Sequence, residues 1–214
     1  MRLYSNTFGP GPRRVGLFLS MKGIEIEKIL MPAYGERSAE FLEKNPGGKI
    51  PVLELDSGEC IFESQAIIQY LEGAFPEPSF SYNDEQTAQK VDTLSHLINE
   101  FFHYFYVTAL HGSPVVAQFL DQDPKADKIS RPMALARMEQ IAEIAGDNFF
   151  LAGDRPSIPD FMLYAHVEYI RMRFGIFLPA HLVNLHKWYE RFQELPGMYP
   201  NGWQDDEEFW EEQA

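Results

Sequence analysis

Two short motifs in the first third of the chain have the residue types to hold a small charged ligand. The first, Asn-Pro-Gly-Gly-Lys-Ile-Pro, ends at Pro51, where a strand should begin. A proline cannot donate to a strand ladder, so Pro51 belongs at a strand's first residue or at an edge, and after a turn it is a candidate for a cis bond. The second, Glu63-Ser64, opens a helix with Ser64 as a good N-cap, and the N–H groups behind it attract an anion. Together they predict a pocket for a peptide-like ligand that carries both an amine and a carboxylate.

The elements around these motifs predict a sheet covered by helices. A short strand leads into a proline-rich loop and a helix that ends at Gly23, which suits a C-cap. A second strand, a short helix, a hairpin around Asp56-Ser57-Gly58 and a third helix follow. The order βαβαββα predicts a thioredoxin-like fold with a mixed sheet. The predicted ranges are 2–5, 24–31, 51–55 and 60–62 for the strands and 12–22, 38–44 and 64–73 for the helices.

The remainder of the chain is predicted to be all helical. Residues 76–84 are rich in proline, serine and acidic side chains, which is typical of a linker. We therefore expect a thioredoxin-like domain at 1–75, a linker at 76–84 and an all-helical bundle domain at 85–214, with an acidic, solvated tail at 205–212. Ser157 and Asp160 have the spacing of a capping box at the start of one helix. The predicted helices span 87–110, 134–145, 157–174 and 182–194.

Charge and composition limit the classes of partner. The 214 residues carry a net charge of −14, and 45% of them are apolar, enough for a sizeable core. So acidic a chain is a poor match for nucleic acid or an anionic membrane, and no apolar run approaches the ~18 residues of a membrane span. The single cysteine, Cys60, excludes an internal disulfide framework and is expected to be a small buried residue in mid-strand. Since the N-terminus shows no leader pattern, we expect a cytoplasmic protein.

Longer stretches of the sequence resemble a known family. "NPGGKIPVL", "FESQAIIQYL", "LYSNTFGPGPRRVGLFLSMKGIEIEKI" and "FLAGDRPSIPDFMLYAHV" are similar to segments of the cytosolic glutathione transferases. The resemblance implies glutathione as co-substrate, a homodimer and a role in detoxification. It implies that Glu63 and Ser64 bind the γ-glutamyl end of glutathione. It also implies that Ile50, beside Pro51, pairs its main chain with the cysteinyl backbone, and that Lys49 reaches the glycine carboxylate.

Glutathione transfer needs a thiolate at neutral pH, and the family supplies a Tyr, Ser or Cys in the loop between the first strand and the first helix. A free thiol has a pKa near 8.5, and lowering that value by about two takes roughly 2.7 kcal/mol. Here Gly9 stands at the usual serine position and Gly11 where relatives use Asn, so neither position has a donor side chain. A backbone N–H at the helix start remains an alternative to the side chains. The candidate catalytic side chains are those of Thr7, Arg13, Ser5 and Asn6.

The second substrate is expected against an aromatic stretch of the long helix, 100–106. His103 has no Cys or His at ligand spacing, so no metal is predicted. The leading hypothesis is a transferase that adds the glutathione thiolate to an apolar electrophile. Because Gly9 and Gly11 have no donor side chain, a non-catalytic glutathione- or hydrophobic-ligand-binding protein remains an alternative. A glutathione-dependent reductase or etherase is another, since "LYSNTFGPG" resembles a segment of bacterial β-aryl etherases. The candidate substrate-binding residues are Phe8, Phe102, His103 and Tyr106.

Overall fold

Four strands form the sheet of the N-terminal unit in a computed structural model that describes residues 1–33 and 35–198. The strands are β1 (Arg2–Ser5), β2 (Glu27–Leu30), β3 (Val52–Glu54) and β4 (Cys60–Phe62), in the order β2-β1-β3-β4. β1 pairs parallel with β2 and antiparallel with β3, and β3 pairs antiparallel with β4. The predicted thioredoxin-like mixed sheet is confirmed, although β2 is shorter than the 24–31 expected.

Three helices accompany this sheet, α1 (Pro10–Lys22), α2 (Ala39–Lys44) and α3 (Ser64–Ala74). α1 begins at Pro10, two residues earlier than predicted, because prolines in a first turn cost no intrahelical hydrogen bond. Its end is the predicted one, with Gly23 in the left-handed conformation at φ 65°. Apolar side chains of the strands and helices form the core. Its fully buried members include Leu3, Val15, Leu17, Phe18, Val52, Leu53, Ile67, Ile68 and Leu71.

A buried lysine fixes the end of α1 against α3. Lys22 Nζ lies 2.6 Å from Glu72 Oε2 and donates to the Phe75 carbonyl, also at 2.6 Å. Separating a buried ion pair would leave its charges uncompensated, so this pair holds α1 and α3 together at their C-terminal ends. Their N-terminal ends are thereby positioned next to each other as well.

The second unit, Phe80–Gln193, consists of helices in the described residues. They are α4 (Glu85–Gly112), α5 (Pro124–Ala145), α6 (Ile158–Phe174) and α7 (Val183–Gln193), with a 3-10 turn at Val116–Gln118. The all-helical expectation is confirmed. α5 starts ten residues before the predicted 134, with Asp123 accepting from Lys125 N–H at its start. Pro132 inside the helix and a polar first half hid this segment from the apolar periodicity.

The start of α6 is organised by a buried carboxylate. Asp160 Oδ2 accepts from Ser157 N–H and Ser157 Oγ, both at 2.8 Å, which confirms the predicted interaction between these residues. Asp160 Oδ1 also accepts from Leu151 N–H at 2.9 Å and Trp188 Nε1 at 2.8 Å. Burial raises the pKa of Asp160 to about 6, although these hydrogen bonds oppose the shift. One carboxylate therefore ties together α6, α7 and the loop before α6.

The boundary between the two units falls between Ser79 and Phe80, inside the segment 76–84 expected to be a linker. The described part of Glu194–Ala214 groups with the first unit. The acidic segment 205–212, interpreted as a solvated tail, lies outside the described residues. In the described helices, none has the length and hydropathy to cross a membrane. Within residues 1–33 and 35–198, no three His, Cys, Asp or Glu side chains cluster as metal ligands would.

Candidate functional site

A buried asparagine shapes the loop that precedes Pro51. Asn45 Oδ1 accepts from Gly47 N–H at 3.0 Å, and Asn45 Nδ2 donates to the Lys49 carbonyl at 2.8 Å. Gly48, at φ 63°, donates its N–H to the Asn45 carbonyl at 2.9 Å, and glycine adopts this left-handed conformation without steric cost. The loop leaves the Lys49 side chain exposed and leads into the Ile50–Pro51 bond, which is cis as the sequence predicted.

The start of α3 differs from the sequence expectation in one respect. Ser64 was predicted to be the N-cap, but the N-cap is Glu63, and Ser64 is the first helical residue. Glu63 has φ 69° and ψ 115°, and it is the one non-glycine residue with positive φ in the described part of the chain. Such a conformation costs about 1–3 kcal/mol and persists only where the surroundings hold it. It leaves Glu63 exposed while Ser64 is buried.

The hydroxyl of Ser64 is engaged by Arg14, a residue that was not among the predicted site residues. Arg14, which is buried in α1, donates from Nε to Ser64 Oγ at 2.6 Å. Burial lowers the pKa of Arg14 to about 10, and the charge of Glu63 opposes the shift, so the guanidinium stays protonated at neutral pH. Because Ser64 Oγ accepts from Arg14, its own proton is directed to another acceptor, such as a ligand carboxylate.

A signal for Arg14 was present in the sequence. Arg14 precedes Leu17 and Phe18 by three and four residues, so the three share one face of α1. A charged residue on an apolar face is almost never buried unless it is paired. Arg13, the arginine predicted as a site residue, donates from Nε to the Thr7 carbonyl at 2.5 Å.

Gly11 brings the first turn of α1 against both motifs. A Cβ at this position would lie 3.5 Å from Pro51 Cδ, 3.5 Å from Ser64 Oγ and 3.8 Å from the Ile50 carbonyl oxygen. The turn of α1, the cis-proline loop and the start of α3 therefore converge on one point. Of the first three residues of α1, Gly11 alone has an N–H, because Pro10 and Pro12 have none.

The candidate catalytic side chains of the β1–α1 loop differ in burial and in partners. Ser5 is buried and donates from Oγ to the Asn6 carbonyl at 3.3 Å. Asn6 is buried as well, and it shapes the loop: Nδ2 donates to the Met31 carbonyl at 3.0 Å, and Oδ1 accepts from Phe8 N–H at 3.0 Å. Thr7 is half-buried and thus the most accessible of the four candidates, since Arg13 is also buried.

The candidate substrate residues of the helical unit lie on one side of α4. The ring of Phe102 is half-buried, with its centroid 4.2 Å from that of His166 and 6.1 Å from that of Tyr169. Tyr106, one turn further on, lies 6.3 Å from Phe102 and is exposed, as is His103. His166 and Tyr169, both on α6, were not among the candidates, because spacing along one helix does not show which residues of another helix face it. Phe8, the remaining candidate, belongs to the N-terminal unit and is half-buried.

Cys60 differs from its prediction. It is the first residue of β4 instead of a mid-strand position, and its side chain is half-buried instead of buried. β4 is an edge strand, paired on one side with β3, which explains the partial exposure. Burial raises the pKa of the Cys60 thiol, so it is a weaker nucleophile at neutral pH than a free cysteine.

The described residues form a thioredoxin-like unit, with a cis-proline loop beside a helix start, and an all-helical unit, which is the domain order of the family that the sequence resembles. Comparison with family models agrees with this. Residues 3–79 match the model of the glutathione S-transferase N-terminal domain, and residues 133–191 match that of the C-terminal domain. The chain belongs to the glutathione S-transferase family.

Individual relatives are similar over nearly the whole chain. A maleylacetoacetate isomerase of Pseudomonas aeruginosa is 28% identical over 190 residues, which cover 84% of this chain and 85% of the relative. A glutathione S-transferase domain-containing protein of Marinobacter aquaeolei has a TM-score of 0.78 at 28% identity, covering 93% of this chain and 100% of the other. A glutathione S-transferase of Methylobacillus flagellatus, solved with glutathione bound, has a TM-score of 0.79 at 18% identity, covering 92% of this chain and 96% of the other. That last likeness concerns the fold.

Proposed function

We propose that this protein binds glutathione at the convergence of α1, the cis-proline loop and α3, and adds the glutathione thiolate to an apolar electrophile. The observation that carries the proposal is the position of Gly11, whose Cβ would lie within 3.8 Å of Ile50, Pro51 and Ser64. Because Gly11 has no side chain, the first turn of α1 lies close to the cis-proline loop and to the start of α3, so groups of all three elements can contact one ligand. Arg14 behind Ser64 supplies a fixed positive charge, which favours an anionic ligand.

Each end of the tripeptide has a matching group. Ser64 and the first N–H groups of α3 bind the carboxylate of the γ-glutamyl end, because a helix N-terminus attracts an anion. The exposed Glu63 pairs with its amine. The main chain of Ile50 pairs with the cysteinyl backbone. Lys49, exposed at the end of its loop, reaches the glycine carboxylate.

The sulfur lies at the start of α1 in this proposal. Gly9 and Gly11 have no donor side chain there, so activation falls to Gly11 N–H, to Thr7 or to the charge of Arg13. A hydrogen bond to a charged group contributes about 1.5–3 kcal/mol, which lowers a thiol pKa by about one to two. Ser5 and Asn6 are weaker candidates, since Asn6 uses both ends of its side chain within the loop.

The residues proposed to bind the apolar substrate are Phe8, Phe102, His103 and Tyr106. A homodimer is part of the proposal, and the exposed apolar side chains of Ile129 and Met133, one turn apart on α5, are candidate contacts of its interface. Sedimentation equilibrium tests the homodimer. The cytoplasmic location of the protein stays a prediction.

Glutathione-dependent isomerisation is a second candidate reaction. It is favoured by the isomerase relative, which is similar over 85% of its own length. Isomerisation also needs a glutathione nucleophile, but the glutathione is released unchanged, whereas transfer consumes it. A non-catalytic binder on the same scaffold is the third candidate, and it follows if the bound thiol is not activated.

The ultraviolet difference spectrum of bound glutathione separates these candidates. Thiolate absorbance, followed against pH, gives the pKa of the bound thiol. A value well below 8.5, together with loss of free thiol in the presence of an aromatic halide, supports transfer. A depressed pKa without thiol consumption would favour isomerisation. An unchanged pKa would contradict both enzymatic proposals and leave the binder.

A further inference from the structure

A cavity of about 200 Å³ lies within the helical unit, between α4, α5, α6 and the segment that follows α6. All of its lining residues belong to Phe80–Gln193, and none is a candidate glutathione- or substrate-binding residue. Most of the wall is apolar and buried. Its main buried apolar residues are Phe101, Phe105, Ala134, Met138, Val167 and Ile170.

The two polar side chains at this cavity already have partners inside the protein. The hydroxyl of Thr108 lies 2.8 Å from Ser130 Oγ. Arg131 donates from Nη2 to Asp127 Oδ2 at 3.0 Å, and the same nitrogen lies 2.9 Å from Asp127 Oδ1. Thr108 therefore needs no hydrogen bond from an occupant, and Arg131, which is paired with Asp127 and 55% exposed, lies at the solvent side of the cavity. The buried wall itself offers nothing to compensate for burying a charge or a polar group.

The cavity is reached from solvent at one side. Gly175, at φ 64°, ends α6 and turns the chain so that Ile176 and Phe177 lie over the opening. These two side chains, together with Leu135 on α5, are 39–41% exposed, in contrast to the buried wall behind them. A ligand can therefore enter by displacing side chains, without opening the helical packing.

We propose that this cavity binds a neutral apolar small molecule of the size of a substituted benzene, at a site separate from that of glutathione and its electrophile. An apolar protein cavity of about 150 Å³ stays dry and binds benzene, so 200 Å³ accommodates one ring with a small substituent. The driving force is transfer of the ring's surface from water to the apolar wall. A sugar, or a charged group in contact with the buried wall, would lose its hydration without a polar partner there.

Fluorine NMR with fluorobenzene as the probe tests the proposal on the full chain. We expect saturable broadening and shift of the fluorine signal, unchanged when the proposed glutathione site is filled with S-hexylglutathione. Displacement by S-hexylglutathione would place the probe in the transferase site and overturn the proposal. The absence of saturable binding would overturn it as well, without affecting the proposed transferase function.

Variants on one helix locate the bound probe. Ala134→Phe fills the buried wall, and we expect at least a tenfold loss of fluorobenzene affinity. Ala136→Phe makes the same change at an exposed position of α5 and should leave the affinity unchanged. Equal affinities of these two variants would overturn the assignment. Met138→Ala enlarges the cavity and should bind fluoronaphthalene at least threefold more tightly than the wild type, so unchanged or weaker binding would also contradict it.

Discussion

A hydroxyl placed at position 9 should increase the activation of bound glutathione. Gly9 is the N-cap of α1, with an extended backbone at φ −95° and ψ 161° that any residue adopts. A Cβ here would lie 3.6 Å from Pro12 Cδ, which is an ordinary van der Waals contact. Gly9→Ser therefore fits without rearrangement. Its hydroxyl then donates its proton towards the ligand sulfur, in addition to the donors that the wild type already has.

The magnitude follows from one added hydrogen bond. A bond to a thiolate contributes about 1.5–3 kcal/mol, and 1.36 kcal/mol corresponds to one pKa unit, so the pKa of the bound thiol should fall by about one to two. Gly9→Ala is the matched control, since it adds the same Cβ and the same loss of unfolded-chain entropy, about 0.4–1 kcal/mol, without the hydroxyl.

The assay is the pH dependence of thiolate absorbance for glutathione bound to the wild type and to both variants. We expect Gly9→Ala to match the wild type and Gly9→Ser to titrate at lower pH, with a faster reaction towards an aromatic halide near neutral pH. Identical titration of the two variants would show that position 9 does not face the sulfur. The proposed placement of glutathione against α1 would then be wrong.

Three further changes test the groups around the site and the helical core. Arg14→Met and Ser64→Ala should each weaken glutathione binding several-fold. Calorimetry on the double variant should show that the two losses of binding free energy are coupled by about 1 kcal/mol. Additive losses would mean that Arg14 does not act through Ser64. Glu63→Gly should be more stable than Glu63→Ala by about 1 kcal/mol in denaturant unfolding, because glycine adopts positive φ freely. Both variants should lose affinity for glutathione. Equal stability of the two would show that the backbone at this position is not strained. The raised pKa of Asp160 means that folding takes up a proton, so the stability contributed by this group rises as pH falls through about 6. Between pH 7 and pH 5, the free energy of unfolding of the wild type should therefore increase by about 1 kcal/mol relative to that of Asp160→Asn. A constant or shrinking difference would contradict the raised pKa.

Local patterns made most of the elements predictable. The left-handed cap at Gly23 and the hairpin around Gly58 each depend on a few consecutive residues, and both appear where the sequence placed them. The failures are non-local. Arg14 and Ser64 are 50 residues apart, and Asp160 is bound by Trp188 on another helix. Periodicity shows which face of a helix is buried, but not which side chain of another element meets it there.

The N-termini of α1 and α3 differ as anion sites, and this difference bears on function. The first turn of α3 has no proline, so every residue in it has an N–H group, and a helix N-terminus attracts an anion. The first turn of α1 has prolines at its first and third positions, which leaves Gly11 N–H as its single peptide donor among those three. In the proposed complex, α3 is therefore richer in peptide donors than α1. One amide bond to sulfur lowers the thiol pKa by about one to two, so a larger drop in the wild type would require a contribution from Thr7 or Arg13.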